Sequence, residues 1–577
     1  MSMDIAKIVT TDVLVIGGGG AACRAAVAAH DAGAQTTLVL KGTLGACGAT
    51  VAPGRGVAWQ VADTCAGPED SPEVHLHNIL DVGLGMADPR LARILAYELL
   101  ERTEEMERWG LHFEPDPTGE KKHYSAYSCF GNRPRAHCIM NSGHGHAGDI
   151  VVALGRQMAK REIAVHERVF VTDLIVADGI CRGALALAGD GQVIAYRAGA
   201  VVLGSGGARQ IFPAGASQRI DTTGDGYAMA LRAGAELTNM EFAQFMLHVI
   251  VSRPMSVPGS FWALYPRVLN RHGEEVLGRY LPSGVTAQQA MWERTLHEPF
   301  SCRDASGWLD IAITTELREG RGSDEGGLWV DFSQVDLRSF KPSRPTHLPQ
   351  DYSRPVELPD GPIQVRNMAH AINGGVCIDE RAAATLPGLY AAGEVAAGPH
   401  GADRLGGGMV TNCQVFGARA GRYAAEYALG SGARELPKGA LEEPLARLQR
   451  YGRGEGEVEE VFAALAEATG RHLMVVRNEA GLRQVLATVE ELRQERLPQV
   501  AVGKVSLLRR AIEAENSLLT AELMARAALL RRESRGSHYR EDYPQRDDAH
   551  WRVNILHRQI GEGLWQWKGR LAGGVNP

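Results

Sequence analysis

Four apolar residues in a row, Val13 to Ile16, run into four glycines, Gly17 to Gly20, and then into a small-residue stretch from Ala21 to Ala32. A short unbroken apolar run bounded by glycine predicts a strand buried on both faces, and the alanine-rich stretch predicts a helix packed close against it. A second apolar run, Thr36 to Leu40, closes a strand–helix–strand unit. After Thr50 the chain is rich in Gly and Pro, and Pro89 to Trp109 then reads as a helix. Ala164 to Val176 is strand-like. Ala198 to Leu203 is a further apolar strand, ending in Gly204-Ser205-Gly206-Gly207-Ala208, where backbone can come close to a ligand. Thr223-Gly224-Asp225-Gly226 opens an alanine-rich helix reaching Ala235.

The texture changes from about Glu241 to Arg354. Pro, Trp and charged residues become more frequent and the strand–helix alternation is lost, as in an inserted domain. Alternation returns at Gly361 and culminates in Gly388-Leu389-Tyr390-Ala391-Ala392-Gly393-Glu394. Beyond Gly430 the pattern is helical, with Leu482, Val485, Leu486, Val489 and Leu492 on one face. A polar, charged stretch from Ser534 to Trp551 closes this part, and the chain has no internal repeat. These shifts predict an α/β organisation: nucleotide-type units at 1–240 and 356–430, an insertion at 241–355, and a helical domain at 431–577.

Gly17, Gly19 and Ala22 stand at G-x-G-x-x-G/A spacing in the turn between the first strand and helix. The first glycine permits the tight turn and the second lets backbone approach a pyrophosphate. The small third residue lets helix and strand pack closely, with phosphate at the helix N-terminus. Strand, turn, helix and strand occur in order, so the motif reads as a dinucleotide site; a glycine turn without a ligand is the alternative. The carboxylate that ordinarily ends the second strand and bonds a ribose is missing, and Leu40 and Lys41 stand in its place.

A chain of 577 residues accommodates about three or four structural units. The net charge of −7 and the absence of a basic block argue against nucleic acid as partner. Nine cysteines are scattered with no C-x-x-C pair, which suits reduced thiols in a cytoplasmic protein and gives no zinc or iron–sulfur framework. The N-terminus lacks the sections of a signal peptide, and no stretch reaches the roughly 18 apolar residues of a membrane span. The expectation is a cytoplasmic protein with no direct membrane span.

Several separated blocks together resemble one family: the flavoprotein subunits of succinate dehydrogenase and fumarate reductase, with L-aspartate oxidase and the adenylylsulfate reductase flavoprotein as relatives. The blocks are the N-terminal glycine motif, LGSGGARQIF (203–212), TTGDGYAMALRAGAEL (222–237), MEFAQF (240–245), HAINGGVCIDE (370–380), PGLYAAGEVAAGPHGADRLGGG (387–408) and ESRGSHYREDYPQRDDAHW (533–551). The resemblance implies a Rossmann-like FAD-binding domain interrupted by an inserted α+β capping domain and followed by a C-terminal helical domain. It places Glu394 on an FAD hydroxyl, Asp225 near the adenosine half, and Gly17, Gly19 and Gly20 at the pyrophosphate. Ala21, Lys41, Thr50, Gly206 and Gly408 complete the FAD positions it implies.

Such enzymes move a hydride between flavin N5 and a carbon next to a carboxylate. The site needs cations for the carboxylate and a proton donor or acceptor over the carbon. By resemblance, Arg303 in SCRDAS is the arginine that shuttles the proton; its alternative is a helix-start arginine paired with Asp304. His370 and Arg404 resemble the pair that clamps one carboxylate, a role suited to the guanidinium fork. Other positions depart from the family. Its histidine after MEF-x-QF is Met246 here, with His248 two residues on. Its Thr-Glu-Gly-x-Arg-Gly-Glu stretch, which holds the second carboxylate and relays protons, has become Ser256 to Tyr265, without acid or base. A succinate or fumarate site proper is therefore not expected. Phe261, Trp262 and Tyr265 suggest an aromatic substrate wall or, equally, capping-domain core.

Membrane-bound relatives attach FAD through a histidine in the loop matching CGATVAPGRG (47–56), where Ala49 stands here, so noncovalent FAD is expected. His144 and His146 look metal-like but lack a third ligand, and the family keeps a Gly-His at Gly145-His146, so no metal is expected. The expected activity is an FAD-dependent oxidoreductase acting on a small carboxylate-containing substrate. An adenylylsulfate-reductase-like enzyme, or an electron-transfer flavoprotein subunit, is the alternative. Either would work with a ferredoxin-like iron–sulfur subunit. The other assembly considered is a homodimer through the helical region.

Overall fold

The glycine turn and its strand sit at the centre of a seven-stranded sheet in the computed structural model. The structure describes residues 4–51, 58–62, 70–113, 137–139, 148–213, 221–250, 257, 259–335, 361–431, 435–437, 439–451, 454–561 and 563–569. Strand Ile5–Ile16 pairs in parallel with Thr36–Val39 on one side and with Val193–Leu203 on the other. Ala164–His166 extends one edge. Ile180–Ala188 and Val169–Ala177 add antiparallel strands at the other, and Leu389–Ala391 also pairs with Val193–Leu203. The apolar run read from 164 to 176 is two strands, because Arg168 takes a left-handed φ of 55° and turns the chain between them.

The reason for the small residues after the turn is a helix–helix contact. Helix Gly20–Asp31 lies against Gly408–Ser431 so closely that a Cβ on Gly421 would stand 2.1 Å from the Ala25 carbonyl oxygen. Larger residues would force the helices apart and widen the cofactor turn.

The inserted region is built on an antiparallel four-stranded sheet ordered Ala243–Val249, Ile363–Ile372, Leu328–Asp331, Arg267–Leu269. That unit reaches past residue 355, because Ile363–Ile372 hydrogen-bonds into it. Trp262 is buried with Val268, Leu309 and Val330 in its core, and the Phe261 ring meets Phe332 edge-on at 5.3 Å.

The C-terminal part contains the helices Val458–His472, Glu479–Glu491 and Val505–Leu530. Leu482, Val485, Val489 and Leu492 are buried as their spacing requires, and Leu486 packs against them. This part also carries a β-hairpin, Asn554–Ile560 with Gly563–Gly569, which joins Leu237–Thr238, Gly375–Cys377 and Ala396–Ala397 in a five-stranded sheet. The charged stretch near its end is divided: residues 533–540 are buried and most of 541–550 is exposed. Glu533 accepts hydrogen bonds from Arg531 (2.9 Å) and Arg535 (2.6 Å), and Arg531 also pairs with Glu241 at 2.7 Å, all four side chains fully buried. Mutual neutralisation makes that burial tolerable and bolts the C-terminal segment to the start of the capping sheet.

Candidate functional site

Glycine turns at the ends of two parallel strands open on a cavity of about 440 Å³. Gly17 has a φ of 129°, and a Cβ there would lie 2.3 Å from the Gly204 oxygen, so the two turns touch backbone to backbone. Of the residues expected at the cofactor, Gly17, Gly19, Gly20, Ala21, Lys41, Thr50, Gly206, Asp225 and Glu394 line the cavity, and Gly408 does not. Gly408 instead begins the 24-residue helix whose N-terminal residues Met409 and Val410 face the cavity. That helix end carries partial positive charge and favours negative charge on whatever binds.

The structure explains the missing ribose carboxylate in part. Lys41 Nζ donates to Asp225 at 2.7 Å, to Thr223 at 2.8 Å and to Glu513 at 3.0 Å. The other Asp225 oxygen accepts from Asn516 at 2.9 Å. Asp225 and Lys41 thus build a wall by binding each other. Although it is buried, Lys41 stays above the ordinary lysine value because those two carboxylates outweigh the desolvation.

Polar atoms on the same wall are left for a ligand to satisfy. Gln414 is fully buried, and neither of its amide atoms has a partner among the described residues; the same holds for the buried Ser205 hydroxyl. Both line the cavity beside the glycine turn, where a dinucleotide's phosphates and hydroxyls would satisfy them. Glu394 points one oxygen at the Ile372 amide (3.0 Å) and lies so close to Gly207 that a Cβ there would meet its carboxylate at 2.3 Å. These features fit FAD.

Beyond the nucleotide cradle the cavity becomes basic. His370 lines it from strand Ile363–Ile372, at the point where the pairing slips by one residue: Gln244 opposes Ala371 and Phe245 opposes Ala369. His370 is the extra residue of that bulge, a device that re-aims a side chain. Arg404 Nε donates to Gln244 Oε1 at 3.1 Å, and Gln244 in turn donates to Asp403 at 2.7 Å, which fixes the guanidinium plane. The period-two alternation of a strand puts Gln244, Met246 and His248 on one side of Ala243–Val249, and Met246 lines the cavity. Burial and the neighbouring Arg404, Arg209 and His248 hold His370 well below the usual imidazole value. His248 is lowered as well, by burial and by Arg209 and Arg366.

Arg209 was not foreseen from the sequence. It follows the glycine-rich strand end and lines the cavity, and its Nε and Nη2 are buried with no hydrogen-bond partner among the described residues. A charged residue directly after a ligand-facing strand end was the available signal. Glu298 was also missed, lying in a loop with no motif, and it too lines the cavity.

Arg303 is not brought to the cavity wall. Its Nε donates to Asp304 at 3.3 Å, the pairing considered above as its alternative. Burial would raise Asp304, but His297, Ser306 and Arg303 together take it well below the usual carboxylate range. Phe261, Trp262 and Tyr265 do not line the cavity either: the first two belong to the capping core, and Tyr265 is surface-exposed. His144, His146 and residues 52–56 lie outside the described residues.

Comparison with known proteins agrees with this geometry. The family described as FAD binding domain matches residues 12–410, and the one described as fumarate reductase flavoprotein C-term matches residues 463–563. A fumarate reductase (CoM/CoB) subunit of Methanothermobacter marburgensis is 35% identical over 558 residues, covering 94% of this chain and 96% of its own. The Sdh1 chain of Mycobacterium smegmatis, solved in complex with UQ1, superposes with a TM-score of 0.83 at 27% identity, covering 99% of this chain and 96% of that one. Adenylylsulfate reductase of Archaeoglobus fulgidus shares the fold at 20% identity, with a TM-score of 0.73 and coverage of 98% and 97%. Among the described residues no helix is long and apolar enough to cross a membrane. The glycine cradle, the matched families and the relative at 35% identity lead to one conclusion: the chain belongs to the fumarate reductase and succinate dehydrogenase flavoprotein family and is an FAD-dependent oxidoreductase.

Proposed function

We propose that the protein reduces a carbon–carbon double bond next to a carboxylate. One observation carries the reading: Arg209 presents two buried guanidinium nitrogens, unpartnered among the described residues, to the cavity that Arg404 and His370 also line. Cations gathered around a cavity with guanidinium nitrogens left unpaired require an anionic ligand, and the fork geometry suits a carboxylate. Bound FAD supplies the hydride. Arg404, held flat by Gln244, grips the substrate carboxylate, and His370 gains a proton as that negative charge arrives beside it. Together they draw electron density toward the carboxylate as the double bond polarises.

The relative at 35% identity is named as one subunit of its fumarate reductase, which supports both the enoate chemistry and an electron-carrying partner protein, here proposed to be of the iron–sulfur type. Met246 and the acid-free 256–265 segment favour a substrate other than fumarate itself. Ala49 lines the cavity where linked relatives carry histidine, which supports noncovalent FAD.

Acid precipitation should leave FAD in the supernatant. The dithionite-reduced protein should then be reoxidised, under anaerobic conditions, by at least one member of a panel of fumarate, mesaconate and crotonate. Flavin in the pellet would refute noncovalent attachment. A reduced flavin that no enoate reoxidises would refute the reaction.

A further inference from the structure

The family resemblance leaves this site without the acid that the 256–265 segment ordinarily contributes. A carboxyl group reaches the same region from another loop. Pro299 bridges to Met246 across the edge of strand Ala243–Val249, and the Phe300 amide donates to the Phe245 carbonyl at 2.7 Å. Those contacts pin Glu298 to the cavity wall, on the strand whose Gln244 orients Arg404. Arg294 braces the loop from behind, donating to the His297 and Pro299 carbonyls, each at 2.9 Å, and to Asp310 at 3.1 Å. The Glu298 carboxyl meets the backbone N–H of Gly259, which lies inside the segment that lost its acid.

Three other carboxyl groups line the cavity, Asp225, Asp221 and Glu394. Asp225 is held by Lys41, Thr223 and Asn516, Asp221 accepts from the Gly48 amide, and Glu394 accepts from the Ile372 amide.

We propose that Glu298 is the acid that delivers the proton to the substrate carbon, the role that the resemblance gives to Arg303, which does not line the cavity. The assignment rests on the enoate-reducing reading above. In the step, hydride from reduced FAD forms a C–H bond at one alkene carbon as the π bond breaks. The Glu298 O–H breaks and its proton goes to the neighbouring carbon. Glu298 is left as a carboxylate and is reprotonated from water, and FAD leaves the step oxidised. Burial raises the Glu298 carboxyl, with Arg294 and the Gly259 amide opposing, so a larger share of it stays protonated than of an exposed glutamate. Arg209, His370 and Arg404 line the same cavity, and the charged group that acts on Glu298 directly is Arg294.

The experiment is anaerobic stopped-flow reoxidation of dithionite-reduced holoenzyme by whichever of fumarate, mesaconate and crotonate reacts fastest with wild type, from pH 5.5 to 9. Glu298→Gln should keep its FAD and its affinity for malonate, yet react about 10²- to 10⁴-fold more slowly. The wild-type rate should fall as pH rises and Glu298 ionises, and that titration should vanish in Glu298→Gln. Glu298→Asp should recover part of the rate together with the titration. Glu298→Gln reacting within about threefold of wild type with the same pH profile would overturn the assignment, as would loss of FAD from that variant. An Arg303→Lys enzyme that alone loses the titration would move the role to Arg303. If no enoate reoxidises wild type, the reading beneath the proposal fails and takes this assignment with it.

Discussion

Replacing Arg209 with methionine should strengthen the ligand-free protein and weaken its hold on anions. The two buried nitrogens without partners among the described residues make this a costly residue to keep without a ligand. An unsatisfied buried polar group costs about 1–3 kcal/mol, and Arg209 is partly exposed elsewhere, so removal should stabilise the ligand-free form by about 1–2 kcal/mol. With a dicarboxylate bound, the same nitrogens would make two charge-assisted hydrogen bonds worth about 1.5–3 kcal/mol each. A loss of about 3–6 kcal/mol corresponds to a Kd weaker by about 10²- to 10⁴-fold. Malonate titrated into oxidised holoenzyme and read by the flavin absorbance change measures this without turnover, and a thermal melt measures the stability change. Arg209→Met binding malonate within a few-fold of wild type, with full flavin content, would refute the reasoning. Loss of flavin would place Arg209 on the cofactor instead.

Further outcomes follow from other contacts. Gly17→Ala should yield protein depleted of FAD, because its Cβ would stand 2.3 Å from the Gly204 oxygen at a left-handed φ; a full FAD-to-protein absorbance ratio would contradict this. Glu533→Gln removes the carboxylate between two fully buried arginines and should cost about 3–5 kcal/mol, seen as a lower melting temperature; an unchanged melt would show that Glu241 and Asp548 suffice. Malonate affinity should increase as pH falls toward 6. His370 is depressed when free, and a bound anion raises it, so between the two values the complex holds more protons than the free enzyme. Isothermal titration in buffers of different ionisation enthalpy would report that proton uptake, and its absence would exclude His370 from the anion site.

The sequence by itself determined the nucleotide cradle. Val13–Ile16, the glycines after them and the small residues of the first helix must fold locally as they do, because strand burial, a left-handed turn and a close helix contact each demand those residue types. It likewise determined the apolar face Leu482–Leu492, whose spacing is local information. His370 and Arg404 were legible because they stand in motifs, though why they point inward was not: that depends on a bulge between two strands more than 100 residues apart and on Gln244 across the sheet.

Only the tertiary structure decided the rest. Gln414 and Glu298 carry no periodic or motif signal, and Arg209 stands in a motif that does not tell its role; their meaning is the absence of a partner or the nearness of a distant segment. The charged residues after helix Val505–Leu530 show the same limit: composition does not tell that Arg531 is buried against Glu241 and Arg535 against Glu533 while most of 541–550 is exposed. Periodicity records which face of an element is buried. Which polar groups face each other inside the protein is set by contacts between residues far apart in the chain, and the chemistry of this site is made of those contacts.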